Sequence, residues 1–163
     1  MELANINRVF FIGIGGIGMS ALARYFAKRG CSVCGYDKTR TNLTIALEHE
    51  GILVSYLDEE SALPVNFIEH HTDTLVVYTP AIPKDCKILN YFQNNDFSIK
   101  KRSEVLGIIS EGMFCIAVAG THGKTTTSTM VAHLLTDTGF GCTAFLGGIA
   151  TNYNSNVLFN NNN

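Results

Sequence analysis

No apolar run in this sequence approaches the roughly 18 residues needed to cross a bilayer, so no membrane span is expected. There is no secretory signal either, which together with reduced cysteines points to the cytoplasm. A basic excess is also missing: the 163 residues carry a formal net charge of −2. Nucleic acid is therefore not an expected partner, and any phosphate binding must come from local lysines and helix N-termini. Charged residues make up only 16%, yet 46% of the chain is hydrophobic, which excludes a disordered chain and allows a real core. No internal repeat of fixed period occurs. The cysteines are five, an odd number. Cys31 and Cys34 form a C-x-x-C that could be redox-active or metal-binding, but no second pair supplies further ligands. Small reduced core residues are the plainer account.

What is present is an alternation of short apolar strands and helical stretches. Val9–Ile12 reads as a buried parallel strand, followed by a helix from about Met19 to Arg29 with Gly30 as its stop. Ser32–Tyr36 is the next strand, and Thr41 or Asn42 can cap a helix that ends before Gly51. Ile52–Val54 and Thr74–Tyr78 read as strands, and Thr79 to Pro83 as a tight loop. Asp85 can cap a helix to about Gln93, Phe97–Ile99 makes a strand, and a helix runs from about Ser103 to Ser110. Phe114–Ala119 is a further strand, Thr125 to Thr138 a helix, and Cys142–Leu146 a last strand. Asn152 to Asn163 is Asn-rich and reads as a solvated tail or loop. The alternation predicts an α/β fold: a Rossmann-like parallel sheet with helices on both faces over 1–108. The truncated start of a P-loop ATPase-type α/β domain is expected over 109–163.

Two glycine motifs carry the chemistry. Gly13, Gly15 and Gly18 have the G-x-G-x-x-G spacing between a strand and a helix. That spacing allows a tight turn, close approach of backbone to a pyrophosphate, and close helix packing. Asp37 ends the second strand, where a ribose hydroxyl would be met; it could equally cap a helix or lie in a solvated loop. The glycines select a pyrophosphate and not a base, so NAD, FAD and UDP-sugars all fit. The second motif, Gly120-Thr121-His122-Gly123-Lys124-Thr125-Thr126, follows an apolar run and opens a helix. Backbone N–H groups there would wrap phosphates, Lys124 would meet the outer phosphates, and Thr125 would hold magnesium. The usual phosphate loop is longer, since its first glycine would fall at Val118. His122 suits loop shaping and phosphate contact in its neutral form, with proton transfer as the other reading. His70-His71 reads as a solvated doublet.

Together the two loops resemble the Mur ligase family, ATP-dependent amide-forming enzymes of peptidoglycan precursor synthesis. Gly13-Ile14-Gly15-Gly16-Ile17-Gly18-Met19-Ser20, Gly35-Tyr36-Asp37, Ala117 to Thr127 and Leu146-Gly147-Gly148 carry the resemblance. It implies a three-domain enzyme whose first domain holds a UDP-linked substrate and whose second binds ATP and Mg2+. The implied reaction joins L-alanine to UDP-N-acetylmuramate through an acyl phosphate. Gly13, Gly15, Gly16, Ile17, Gly18, Met19 and Ser20, with Asp37, Thr79 and Ala81, would then lie near the UDP group. Gly120 to Thr126 would meet the nucleotide, with Lys124 and Thr125 catalytic and Thr125 the metal ligand. The later acidic magnesium ligands and the third domain are missing from this sequence, so the chain alone is expected to be inactive. A homo-oligomer is compatible with the sequence. Three other readings stay open: an NAD-binding oxidoreductase module, a related ligase acting on murein peptide, and a non-catalytic nucleotide-sugar binding module. A dehydrogenase has no need of a Lys-Thr phosphate loop, which is the feature that separates the first of these.

Overall fold

The computed structural model describes residues 3–160, which fold as two units that divide between Glu111 and Gly112. In the first unit, β1 (Arg8–Ile12), β2 (Ser32–Tyr36), β3 (Leu53–Ser55), β4 (Thr74–Tyr78) and β5 (Ser98–Lys101) form one sheet. Helices α1 (Ile17–Lys28), α2 (Asn42–His49), α3 (Val65–Ile68) and α4 (Lys87–Asn94) lie between successive strands, and α5 (Arg102–Ser110) follows β5. The strand order is β3-β2-β1-β4-β5, and every pairing is parallel. The order reverses at β1. A crevice therefore opens beyond the carboxyl ends of β1 and β4, where ligands of open α/β sheets bind.

β1 is buried on both faces, and its alternation divides the core. Phe10 packs on one side against Phe92 and Phe67, with ring centroids 4.9 and 6.2 Å away. Its neighbour Phe11 faces the other side and meets Phe26 of α1 at 6.3 Å. Helices thus cover both faces, as the apolar β1 run requires. α1 stops at Gly30, whose φ of +86° is a left-handed turn that glycine adopts without strain. All five cysteines are free thiols. Burial pushes the Cys34 thiol well up, and no cluster of metal-ligating side chains occurs among the described residues. Cys34 is part of the core packing, while Cys31 is half-buried.

The cap of α4 differs from the expected Asp85. Cys86 occupies the N-cap position, and the carboxylate comes from Asp58, far back in the chain. Asp58 accepts hydrogen bonds from the main-chain N–H groups of Ile88 and Lys87 at 3.0 and 3.1 Å. It also accepts from the Cys86 thiol at 3.3 Å. Partial burial works against ionisation of Asp58, but the two N–H bonds, the thiol and the Lys87 charge outweigh it and hold the carboxyl below the usual range. A carboxylate with a depressed folded pKa stabilises above its unfolded pKa, and that stability is lost as pH falls through the folded one. Asp58→Ala should therefore cost about 1 kcal/mol near neutral pH, as N-cap losses do. Urea denaturation checks it, and the gap from wild type should close in acid.

The second unit holds α6 (Lys124–Asp137), β6 (Ala144–Ala150) and β7 (Ser155–Leu158). Two expectations fail here. Phe114–Ala119 is not a strand: Phe114 is 95% exposed, and no described strand of this unit lies beside the run to complete a ladder. The Asn-rich segment is not simply a tail, because β7 pairs antiparallel with β6 and buries Asn156 and Val157. Pairing register, rather than composition, decides that segment. The sheet of this unit is thus an antiparallel pair, where a parallel arrangement was expected. The expected tail also includes Asn161 to Asn163, which lie outside the described residues. Among those described, no helix is long and apolar enough to cross a membrane.

Candidate functional site

The first loop leaves β1 and is pinned at once to β2, because the Tyr36 carbonyl accepts from the N–H groups of Gly13 (2.7 Å) and Ile14 (3.1 Å). Gly13 has φ +85°, and a Cβ there would lie 3.0 Å from Ile82 and 3.5 Å from Thr79. The Thr79–Ile82 turn therefore packs directly on the loop. Its own shape is held by Thr79, whose hydroxyl accepts from Ala81 N–H at 3.2 Å. Asp37 accepts from the N–H of Gly15 at 2.8 Å and of Thr39 at 3.0 Å. A Cβ at Gly15 would come within 2.7 Å of Thr44 and 2.9 Å of Asp37. This glycine is demanded by the packing of the turn itself.

Gly16 is the N-cap of α1 and offers no side chain to the first N–H groups. By helix geometry, Gly18 and Met19 in the first turn present N–H groups to whatever lies beyond the helix start. The side chains of Met19 and Ser20 are buried, and the Ser20 hydroxyl donates back to the Ile17 carbonyl. Met19 can therefore offer only its main chain, and the Ser20 N–H already donates to the Gly16 carbonyl at 2.8 Å. The first turn of α1 carries no acid. Against it lies Arg102, at the start of α5, whose Nη1 would be 3.0 Å from a Cβ on Gly18. Among the described residues no hydrogen bond or ion pair engages this guanidinium. A cation beside the positive end of a helix is unfavourable on its own and becomes favourable with an anion between them. The sequence reading missed Arg102; the basic run Lys100-Lys101-Arg102 at the end of a strand was the available signal. A separate cleft of about 310 Å³, lined in part by Cys31, Cys34 and Phe67, lies by the starts of β2 and β3. That is the opposite, amino-terminal end of the strands, away from these donors.

The second loop is built by two glycines with left-handed backbone, Gly120 (φ +146°) and Gly123 (φ +76°). Gly123 is the N-cap of α6, whose first turn, like that of α1, holds no acid. Lys124 folds its ammonium back over the loop and donates to the carbonyls of Gly120 (2.5 Å) and Thr121 (3.2 Å). Thr121, His122, Thr125 and Thr126 are exposed around it. The donor set fits a polyphosphate and magnesium: helix N–H groups and one ammonium for the anion, one hydroxyl oxygen for the metal.

The family model "Mur ligase family, catalytic domain" matches residues 8–113. The chain belongs to the Mur ligase family. A UDP-N-acetylmuramate–L-alanine ligase of Cytophaga hutchinsonii is 52% identical over 161 residues, covering 99% of this chain and 34% of that protein. One from Porphyromonas gingivalis is 54% identical over 153 residues, covering 94% of this chain and 33% of its own length. Among solved Mur ligase structures, the UDP-N-acetylmuramate–alanine ligase of Thermotoga maritima superposes with a TM-score of 0.83. It is 32% identical and covers 94% of this chain and 35% of its own. The UDP-N-acetylmuramate:L-alanyl-γ-D-glutamyl-meso-diaminopimelate ligase of Neisseria meningitides gives 0.78 at 25% identity, over 93% of this chain and 46% of its own. The chain thus spans about a third of the length of the curated relatives it matches. The matched residues of the family model contain the first glycine loop and end before Gly120.

Proposed function

We propose that this chain forms the N-terminal part of an ATP-dependent ligase that joins L-alanine to UDP-N-acetylmuramate. The carrying observation is the pairing of two anion cradles on separate units, in a chain 52% identical to a ligase of that name. The first cradle, Gly13 to Ser20 with Asp37, Thr79 and Ala81 around it, holds the UDP diphosphate at the start of α1. It does so through the main-chain N–H groups of Gly18 and Met19, while the remaining residues shape the turn. Arg102 adds a charge-assisted contact to the same diphosphate. The second, Gly120 to Thr126, holds the triphosphate, with the Thr125 hydroxyl as a magnesium ligand. Magnesium, when bound, neutralises charge on the outer phosphate oxygens. Lys124 swings from the Gly120 and Thr121 carbonyls to the phosphoryl group in transfer and disperses its negative charge. The lactate carboxylate attacks the γ-phosphorus and ADP departs. The amine of L-alanine then attacks the acyl carbon, releasing phosphate and a proton as the amide forms. Such a ligase works where its nucleotide-linked substrate is made, in the cytoplasm.

The 32% identity to the alanine ligase structure, against 25% to the murein peptide enzyme, favours the alanine reading. Calorimetry with UDP-N-acetylmuramate, NADH and ATP in parallel tests it. Binding of the UDP-sugar without response to NADH is expected, and tight NADH binding with no response to the UDP-sugar would overturn the proposal. In the same titration Arg102→Ala should weaken the UDP-sugar about tenfold, the loss of one charge-assisted hydrogen bond. Arg102→Lys should recover part of that loss.

A further inference from the structure

The glycine pair of β6 lies far along the chain from the phosphate loop, yet it meets that loop's hydroxyl. A Cβ built on Gly147 would lie 2.7 Å from Thr125 Oγ1, and one on Gly148 would lie 3.2 Å from Thr125 Cγ2. The two branches of the threonine side chain thus rest on two successive glycines. Neither glycine has a positive φ, so backbone freedom is not what these positions need. What they need is space. The strand is built to provide it. Its pairing runs Ala144 to Leu158 and Phe145 to Val157, then jumps to Ala150 with Ser155, so the register shifts across the stretch that contains both glycines. Bulges of this kind re-aim a strand, and glycine in one marks close approach of another group.

We propose that Gly147 and Gly148 are positioning residues for the magnesium-ligating hydroxyl, fixing the direction in which Thr125 presents its oxygen. This inference rests on the ligase reading above, in which Thr125 is the metal ligand. A β-branched side chain has few staggered positions to choose from. With the hydroxyl against Gly147 and the methyl against Gly148, the glycines set which position it takes. A methyl added at 147 collides with the oxygen itself, while one at 148 presses only on the methyl. The two substitutions should therefore differ in size and in kind.

The test uses the full-length ligase. Gly147→Ala should raise the Mg2+ concentration at half-saturation about tenfold, read both in turnover and in calorimetric titration of ATP with and without Mg2+. UDP-N-acetylmuramate affinity should stay within about twofold, since that substrate is assigned to the other cradle. Gly148→Ala should shift the Mg2+ half-point less. Adding Thr125→Ser to Gly148→Ala should return the half-point to about the wild-type value, because serine keeps the hydroxyl and loses the methyl on which residue 148 presses. The same change should not rescue Gly147→Ala, whose clash is with the oxygen. A merely structural role would lower the melting temperature without moving the Mg2+ half-point and without rescue by serine, and that result overturns the inference. Should Gly147→Ala fail to fold, Gly148→Ala decides: a shifted half-point supports the proposal and an unchanged one overturns it. Lys124→Ala separates the two levels. If it keeps ATP-dependent turnover, the ligase reading falls and this inference with it. If it is inactive while both glycine variants match wild type, only this inference falls.

Discussion

Lys124→Ala in the full-length ligase should lower turnover about 10³-fold or more, the size of loss seen when a group stabilising transition-state charge is removed. The reason is local. Lys124 carries the ammonium of the loop, and its four-carbon stem already brings that charge to the Gly120 and Thr121 carbonyls. Without it the helix N–H groups still meet phosphate, so ATP affinity should fall far less than turnover. The residue is exposed and leaves no cavity, so the melting temperature should change little. UDP-N-acetylmuramate binding, assigned to the first unit, should stay within about twofold. Lys124→Arg should not restore the rate, because a planar fork does not replace a compact point charge. Steady-state kinetics with calorimetry of both substrates reads all of this. Equal loss of both bindings would mean that the two cradles are not separate sites.

Gly35→Ala should cost about 3 kcal/mol or more, enough to leave the first unit largely unfolded under mild denaturant. Gly35 sits in the middle of β2, directly paired with Phe11 of β1. A Cβ there would fall 2.5 Å from the Phe11 carbonyl oxygen and 2.9 Å from Ile14 Cδ1. A flexible side-chain end could yield, but the oxygen belongs to the central strand of the sheet. Moving it disturbs the β1 ladders on both sides and the loop that β1 feeds. Gly30→Ala makes the informative comparison. Nothing lies within 4 Å of its Cβ, so only the strain of φ +86° remains, roughly 1 kcal/mol. Urea denaturation of both variants measures the contrast, and a Gly35→Ala loss no larger than that of Gly30→Ala would contradict the packing argument.

The parts of this fold that were legible in the sequence are those set by neighbours in the chain. Thr74–Tyr78 is a strand over the same residues, and α6 begins one residue before its expected start. Both glycine loops join the elements that their spacing implied, except that no strand forms ahead of Gly120. That strand was misread because an apolar run looks alike whether or not a partner strand lies beside it. β7 was missed for the opposite reason: asparagines disguise a segment whose buried Asn156 and Val157 are fixed by pairing with β6. Asp58 capping α4, Arg102 beside Gly18, and Gly147 against Thr125 all join residues far apart in the chain. Such meetings depend on how the chain crosses over, and no local pattern records them. The glycine motif itself was legible as a motif, but part of its meaning was not. Gly15 is small because Thr44 and Asp37 press on it, whatever ligand approaches.

Asp37 carries a lesson for anyone hoping to re-engineer the pocket. In dinucleotide enzymes the acid at this station is a selector, exchanged to trade one coenzyme for another. Here each of its oxygens is already engaged by an amide of the surrounding turns. Replacing it would loosen the hinge between the glycine turn and the second strand before it could alter any preference, so a change of nucleotide taste has to be sought elsewhere on the rim.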